Sequence, residues 1–271
     1  VGSEKMAKYL VKRVLMALLT VFLVATLTFF LMNAAPGNPW LAEKTPPQSV
    51  IDALNEKYGL DKPLPEQFLL YMGNLLKGDF GVSLKNGRNI TDIIKDSFPV
   101  SAKLGLMAIS LALVCGIIFG SLGALMRNKW PDRLIVFFST LFTAVPSFVL
   151  ATLLLLVFAI KLEWFPVWSA TEVHYTLPVI ALSAYPMAYT TRLAKTSMLD
   201  ALSQDYIRTA KAKGVNRWKV IFKHALRNSL IPVITYAGPQ IAYIITGSMV
   251  VETIFTVGAI GSKFVSAITN R

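Results

Sequence analysis

The sequence predicts an all-α membrane protein, a bundle of five transmembrane helices with a small external helical cap. Three observations point to this fold class. Hydrophobic residues make up 54% of the 271 positions and charged residues only 15%, whereas a soluble domain carries about a quarter charged residues. The apolar residues form long blocks separated by charged clusters. Five of these blocks approach or exceed the roughly 20 residues that a helix needs to cross a bilayer core.

The first two predicted spans cover residues 14–35 and 104–126. The first is preceded by basic residues and stops before Pro36, which interrupts a helix where it leaves the membrane. The second contains Gly116 and Gly120, a GxxxG pattern that lets another helix approach closely in lipid. We expect these glycines to mark helix packing, either within this chain or against a second transmembrane subunit.

The other three predicted spans cover residues 134–160, 177–191 and 230–251. The third is long enough to tilt, and Pro146 inside it should bend it against its neighbours. The fourth is the shortest of the five. The fifth contains two prolines, so neighbouring helices or water must compensate for backbone hydrogen bonds that it cannot make.

Basic residues between the spans predict the orientation, because Lys and Arg in short loops stay in the cytoplasm. Residues 192–229 are the most basic stretch, with nine basic residues against two acidic ones. The predicted cytoplasmic segments are 1–13, 127–133 and 192–229, and the predicted external segments are 36–103, 161–176 and 252–271. The formal net charge of +12 is therefore a topology signal, and we expect no binding to nucleic acid.

The long external segment should not be disordered. Residues 45–49 followed by Val50, Leu54 and Tyr58 predict a capped amphipathic helix that ends at Gly59. A second helix is predicted over residues 68–76, and the two would form the external cap. Five spans leave Arg271 outside the cell, so we expect a sixth span beyond the printed sequence.

The cytoplasmic segment 205–232 predicts a compact helix-turn-helix. One helix reaches Lys213, Gly214 suits a left-handed C-cap, and Asn216 can cap a second helix that runs to Arg227. From the physics of the residues alone, two readings stay open. The segment either docks a partner protein, or it rests as a basic amphipathic surface on anionic lipid.

This segment resembles the EAA loop of the permease subunits of bacterial ATP-binding-cassette (ABC) importers. Arg208, Thr209 and Ala210 fall on the Glu-Ala-Ala positions of that loop, Gly214 falls on its glycine, and Ser229-Leu-Ile-Pro232 lies near its ending. Arg208 and Thr209 depart from the general pattern, but the run from Asp205 to Gly214 is similar to the peptide and nickel permease branch. The stretches 58–65, 76–83 and 251–261 resemble the same branch in the same order.

The resemblance implies that the chain is a permease subunit in the cell (inner) membrane of a prokaryote, with its amino terminus in the cytoplasm. Its implied partners are a second homologous permease, two cytoplasmic ATPase subunits, an external solute-binding protein and membrane lipid. The implied coupling residues are Arg208, Thr209, Ala210, Lys211, Lys213, Gly214, Val215 and Arg217. The chain has no GxxxxGK[ST] loop, so ATP and Mg²⁺ are expected on the partner ATPases and no cofactor on this chain.

Polar residues at membrane depth are candidates for a wet translocation path. They are Tyr185, Tyr189 and Thr190 in the fourth span and Tyr236, Gln240, Tyr243 and Thr246 in the fifth. The competing interpretation of each is a hydrogen bond between helices. No acidic residue lies mid-span, which favours ATP-driven transport over proton coupling.

No catalytic or metal site is predicted. The sequence has no HExxH or G-x-S-x-G pattern, and its two histidines, His174 and His224, fall on opposite sides of the predicted membrane. We expect a transport subunit for short peptides and not an enzyme. The alternatives left open are import of a nickel chelate or glutathione by the same mechanism, and a membrane scaffold that recruits a soluble partner.

Overall fold

The computed structural model describes residues 2–34, 47–83, 86–169 and 172–269. These residues are mostly helical, and the strand pairing among them is one isolated bridge between Val82 and Asn89. The chain divides into two compact units, residues 1–93 with 270–271, and residues 94–269. The helices, numbered along the chain, are α1 Gly2–Ala34, α2 Gln48–Tyr58, α3 Leu64–Leu76, α4 Ile90–Leu125, α5 Trp130–Ala144, α6 Ser147–Leu154, α7 Thr176–Ser203, α8 Asp205–Ala212, α9 Arg217–Lys219, α10 Arg227–Ile245, α11 Met249–Ile254 and α12 Ile260–Thr269. Two π-helical stretches, Leu155–Lys161 and Val220–Leu226, extend α6 and join α9 to α10.

The first unit contains α1 and the two predicted cap helices. No residue is buried in the most apolar 18-residue window of α1. The side chains of this window are therefore available to contact lipid or another subunit. Near its end, Phe29 lies 5.4 Å from Phe68, ring centre to ring centre. As predicted, α2 ends at Gly59, which has φ +64°. Helix α3 begins at Leu64, ahead of the predicted 68, because prolines favour the first turn of a helix. Residues 45 and 46 of the predicted capping segment lie outside the described residues.

By length and composition, three of the described helices can cross a membrane, or four if a bent pair counts as one span. The three lie at Glu4–Ala34, Ile90–Leu125 and Arg217–Ile254. They contain the first, second and fifth predicted spans. The bent pair contains the third. The predicted span 177–191 lies in α7, which is not among them, so the count of five stays a prediction.

The third predicted span is not one gently bent helix. Helix α5 ends at Ala144, the chain turns by 103°, and α6 begins at Ser147. The cause is Pro146, whose ring disfavours helical backbone at the preceding residue; Val145 accordingly has φ −78° and ψ +122°. The bend predicted at Pro146 is therefore present, and at 103° it divides the region into two helices.

Helix α7 lies at the centre of the second unit. It packs against α5, α6 and α10, and its buried positions are small or polar as often as they are large, for example Ala181, Ser183, Ala188 and Thr191. A helix surrounded by protein does not have to match lipid along its whole circumference. This burial explains why α7 is less apolar than the outer helices.

Glycines bring α4 close to α7. A Cβ atom added at Gly116 would lie 2.6 Å from Thr190 Cβ, and one added at Gly120 would lie 2.5 Å from the Thr191 carbonyl oxygen. The two helices therefore approach at a distance that side chains would prevent. The structure places both glycines of the GxxxG pattern in a contact within this chain.

The boundaries of the predicted cytoplasmic loop differ from the structure at both ends. Helix α7 continues to Ser203, well past the predicted end at 191. The second helix of the helix-turn-helix does not stop at Arg227, because α9, the π-helical stretch and α10 are continuous. At its other end α10 stops at Ile245, before the predicted 251, and the chain turns at Gly247, which has φ +101°.

Residues after that turn surround a buried carboxyl group. Glu252 is 1% exposed. Its Oε1 accepts hydrogen bonds from the Ser101 hydroxyl (2.8 Å) and the Ser248 backbone N–H (3.1 Å), and its Oε2 accepts one from the Ser262 N–H (3.2 Å). The Ser101 hydroxyl in turn accepts a hydrogen bond from the Ile260 N–H at 2.9 Å. One carboxyl group thus joins α4, the turn after α10 and α12.

The α4–α7 contact gives a first testable expectation. Gly120→Ala forces a methyl group against the Thr191 carbonyl, and overpacking of this kind costs about 1–3 kcal/mol, so the midpoint of thermal unfolding in detergent should fall. Gly238→Ala is the matched control, because nothing lies within 4 Å of an added Cβ there. Equal midpoints for the two variants would contradict the close contact.

The Glu252 network gives a second expectation. Glu252→Gln replaces one acceptor oxygen with an NH₂ group that faces a backbone N–H, and a buried donor left without a partner costs about 1–3 kcal/mol. Thermal unfolding followed by tryptophan fluorescence should show the loss. Glu172→Gln, at a side chain that is 71% exposed, should leave the midpoint unchanged. A stable Glu252→Gln protein would show that the three hydrogen bonds contribute little.

Candidate functional site, a basic helical turn and a polar stripe

The predicted helix-turn-helix is closed by a Schellman motif at the end of α8. The Val215 N–H bonds the Ala210 carbonyl at 3.1 Å, and the Gly214 N–H bonds the Lys211 carbonyl at 3.0 Å. This geometry requires a left-handed residue, and Gly214 has φ +72°. The predicted cap at Asn216 is also present, since its side-chain oxygen accepts the Trp218 N–H at 2.9 Å.

A hydrophobic cluster, called here the turn core, holds the two arms of the turn together. Ile207 of α8 packs with Val220 and Ile221 of the π-helical stretch. The same cluster includes Met198 of α7 and Ala124 of α4. The turn is therefore packed onto the ends of two long helices.

The predicted coupling residues divide into an exposed group and a packed group. Arg208, Thr209, Lys211, Lys213, Gly214 and Arg217 are exposed. Ala210 is 7% exposed and belongs to the turn core, while Val215 is half-buried against it. Ala210 therefore packs within the turn, and the coupling role of the set stays a prediction.

Sequence reasoning missed an aromatic pair on the same surface. Trp218 is 63% exposed and Phe222 is 59% exposed, and their rings stack with centres 5.9 Å apart. Their spacing of four residues in a helix was the available signal. Aromatic side chains exposed among Lys and Arg suit a protein interface or the headgroup layer of a membrane.

A buried ion pair fixes α7 against the start of α5. The Lys195 ammonium bonds Asp132 Oδ1, and the Asn128 N–H bonds Asp132 Oδ2 at 3.0 Å. Asp132 lies in the turn before the third predicted span. Burial raises the pKa of its carboxyl group, but the Lys195 and Asn128 hydrogen bonds, with the charges of Lys195 and Arg127, bring it below its ordinary value. The pair was not predicted, because its members are far apart in sequence.

The exposed face of α7 is a continuous polar stripe. Beyond Ile180, its exposed residues are Tyr185, Tyr189, Arg192, Thr196, Asp200 and Ser203. Steps of three and four residues place them on one side of the helix. Tyr185 and Tyr189 lie inside the predicted span 177–191, where polar side chains border water or protein in preference to lipid; the later members lie in the segment predicted to be cytoplasmic. This stripe, called here the α7 stripe, is the candidate path wall.

Two predicted path residues meet across α7 and α10. The rings of Tyr189 and Tyr236 lie 4.5 Å apart, centre to centre, at 30°. The Tyr236 hydroxyl is buried and has no hydrogen-bond partner among the described residues. Elsewhere on α10, Tyr243 is 75% exposed, and the Thr246 hydroxyl donates to its carbonyl at 2.8 Å. Gln240 is half-buried.

Thr190, a residue of the predicted path, is packed between helices in this structure. It is completely buried and faces Gly116 of α4, on the side of α7 away from the α7 stripe. Its hydroxyl has no hydrogen-bond partner among the described residues. The structure therefore places Thr190 in helix packing, since one step along a helix turns a side chain by about 100°.

Two family models match the chain. The model described as binding-protein-dependent transport system inner membrane component matches residues 112–271. A second model, for the N-terminal part of binding-protein-dependent transport system membrane components, matches residues 6–105.

Three curated relatives match the chain along nearly its whole length. The oligopeptide transport system permease protein OppB of Haemophilus influenzae is 44% identical over 270 residues, 98% of this chain and 88% of that protein. The dipeptide transport system permease protein DppB of Bacillus subtilis is 42% identical, over 98% of this chain and 87% of that protein. OppB of Escherichia coli is 41% identical, over 98% and 88%.

A solved structure has a similar fold. It is described as an amino acid ABC transporter with histidines, and it superposes with a TM-score of 0.51 at 14% identity. The superposition covers 67% of this chain and 81% of that chain. At this identity the likeness shows the helical fold alone.

Proposed function

The chain belongs to the family of binding-protein-dependent transport system inner membrane components, and on this premise we propose that it is a permease subunit of an ABC importer of short peptides. It is a multi-pass membrane transport component and not an enzyme. The observation that supports a peptide substrate is the sequence identity of 41–44% to oligopeptide and dipeptide permeases over nearly the whole chain. The nickel-chelate, glutathione and scaffold alternatives are not favoured by these relatives.

The helix-turn-helix acts as the coupling lever. A partner ATPase contacts the exposed cations Arg208, Lys211, Lys213 and Arg217, with Trp218 and Phe222 supplying apolar contact area. Carboxylates on the ATPase surface would complement these cations. ATP and Mg²⁺ are bound by the two ATPase subunits, and this chain supplies the surface that receives their movement.

The lever is continuous with both candidate path walls. Gln204 alone separates α7 from α8, and the π-helical stretch leads directly into α10. Because the turn core packs the two arms together, displacement of the turn moves α7 and α10 as one body. This motion opens the path alternately to the two sides of the membrane.

The remaining partners follow from the same arrangement. The chain lies in a prokaryotic inner membrane. Its amino terminus and residues 127–133 and 192–229 lie on the cytoplasmic side. A second, homologous permease closes the path opposite the α7 stripe. An external solute-binding protein delivers the peptide to the segments on the other side.

Reconstitution tests the proposal directly. The chain is assembled with its sister permease, two ATPases and the binding protein in proteoliposomes that contain ATP. We expect accumulation of a radiolabelled tripeptide and stimulation of ATP hydrolysis by the peptide-loaded binding protein. Empty binding protein is the control. An assembly that hydrolyses ATP without any response to the loaded binding protein would contradict an importer.

Gly214 tests the lever. Gly214→Val places a β-branched residue at φ +72°, where an L-residue costs about 1–2 kcal/mol, so the turn should lose its shape while the bundle stays folded. We expect ATP hydrolysis to continue and peptide uptake to fall by about tenfold, since 1.4 kcal/mol corresponds to that factor.

Gly214→Asn is the matched control, because asparagine tolerates the left-handed region and nothing lies within 4 Å of an added Cβ. It should retain most of the uptake. Normal uptake by Gly214→Val would refute the placement of the lever at this turn.

A further inference from the structure

We propose that Arg192 binds the terminal carboxylate of the transported peptide, at the cytoplasmic mouth of the path, about one helical turn beyond Tyr189 on the α7 stripe. The inference rests on the proposed function and goes beyond it by assigning a substrate-contacting residue inside the membrane domain. Four features of the structure support it.

The first feature is the chemical contrast between exposed helix faces. On α4, the exposed residues between 106 and 122 are apolar apart from Ser110, and they include Leu111, Val114 and Ile118. On α7, the exposed residues beyond Ile180 are all polar. Lipid accounts for the α4 face, whereas Tyr185 and Tyr189, the members of the α7 stripe inside the predicted span, favour water or a polar ligand. Arg192 is the next residue of the stripe, at the start of the predicted cytoplasmic segment.

The second feature is the free charge of Arg192. Its side chain is exposed, and no ion pair involves it among the described residues. The nearby turn does hold an acid, Asp132, but that carboxyl group is paired with Lys195 from the neighbouring face of α7. A guanidinium at this position is therefore available to an anion that comes from outside the chain.

The third feature is the match between a guanidinium and a carboxylate. Arg offers a planar fork of N–H donors that binds both oxygens of a carboxylate. Peptides of any sequence share one terminal carboxylate. A single cation in the path can thus hold peptides without reading their side chains, which suits a carrier of varied sequences.

The fourth feature is the length of the stripe above Arg192. Seven residues separate Tyr185 from Arg192, about 10 Å along a helix axis, and three residues of extended peptide span about 10 Å. Tyr189 and Tyr236 lie within this length with their rings stacked, and the Tyr236 hydroxyl has no partner among the described residues. Tyr185 and Tyr189 are exposed on the same face and can contact the peptide while Arg192 holds its end.

The test compares two tripeptides, trialanine with a free carboxylate and trialanine amide, in the reconstituted importer. In Arg192→Gln, uptake of the free acid should fall by about tenfold, the usual size for loss of a charge-assisted hydrogen-bonded pair. Uptake of the amide should stay near the wild-type value. Because one binding protein serves all assays, its own preference cancels in the ratio of variant to wild type.

Two further variants control for charge and for folding. Arg192→Lys keeps the charge without the fork and should recover part of the free-acid uptake. Arg227→Gln removes an exposed arginine from the start of α10 and should change neither substrate. Stimulated ATP hydrolysis should persist in Arg192→Gln with the amide, which a merely misfolded protein would not show.

The outcomes separate the two proposals. If Arg192→Gln lowers the uptake of both peptides equally, Arg192 serves the structure or a lipid phosphate, and this inference fails while the importer stands. If the wild-type assembly imports neither peptide, the proposed function itself fails, and the inference falls with it.

Discussion

The bundle depends on the close packing of α4 against α7. Two glycines on α4 leave room for the backbone of α7, and any side chain at Gly120 would overlap the Thr191 carbonyl. With α4 on one side and α5, α6 and α10 around it, α7 becomes a buried axis whose remaining open side is polar. In lipid the hydrophobic effect cannot drive helices together, so this steric fit decides which helix occupies the centre.

The central position of α7 links the proposed coupling turn to several helices. The turn core joins Met198 on α7 to Ile207 on α8 and Ile221 beyond the turn, and the Lys195–Asp132 pair fastens the same end of α7 to α5. A force applied at the turn therefore reaches three helices through packed side chains and covalent continuity. A flexible loop of the same composition would dissipate that movement before it reached the membrane.

Local signals in the sequence were sufficient for the turn. Gly59, Gly214 and Asn216 each act within a few residues, so their conformations could be predicted without knowing the fold. The 103° break at Pro146 was harder to predict, because a proline permits a range of bends and neighbouring helices decide the angle. Thr190 was assigned to the path because it is polar, but only the position of Gly116 shows which way it faces. Contacts between distant residues, such as Ser101 with Glu252, leave no trace in local patterns.

The hydrogen bonds around Glu252 make three elements at this end of the chain depend on one another. Its three donors belong to α4, the turn after α10 and α12, and a buried carboxyl group is stable with either its full set of donors or a shell of water. If one element moved away, the carboxyl group would lose a hydrogen-bond donor without gaining a full shell of water. Each partly open arrangement therefore has a higher free energy. The three elements at this end should therefore separate together and not one at a time.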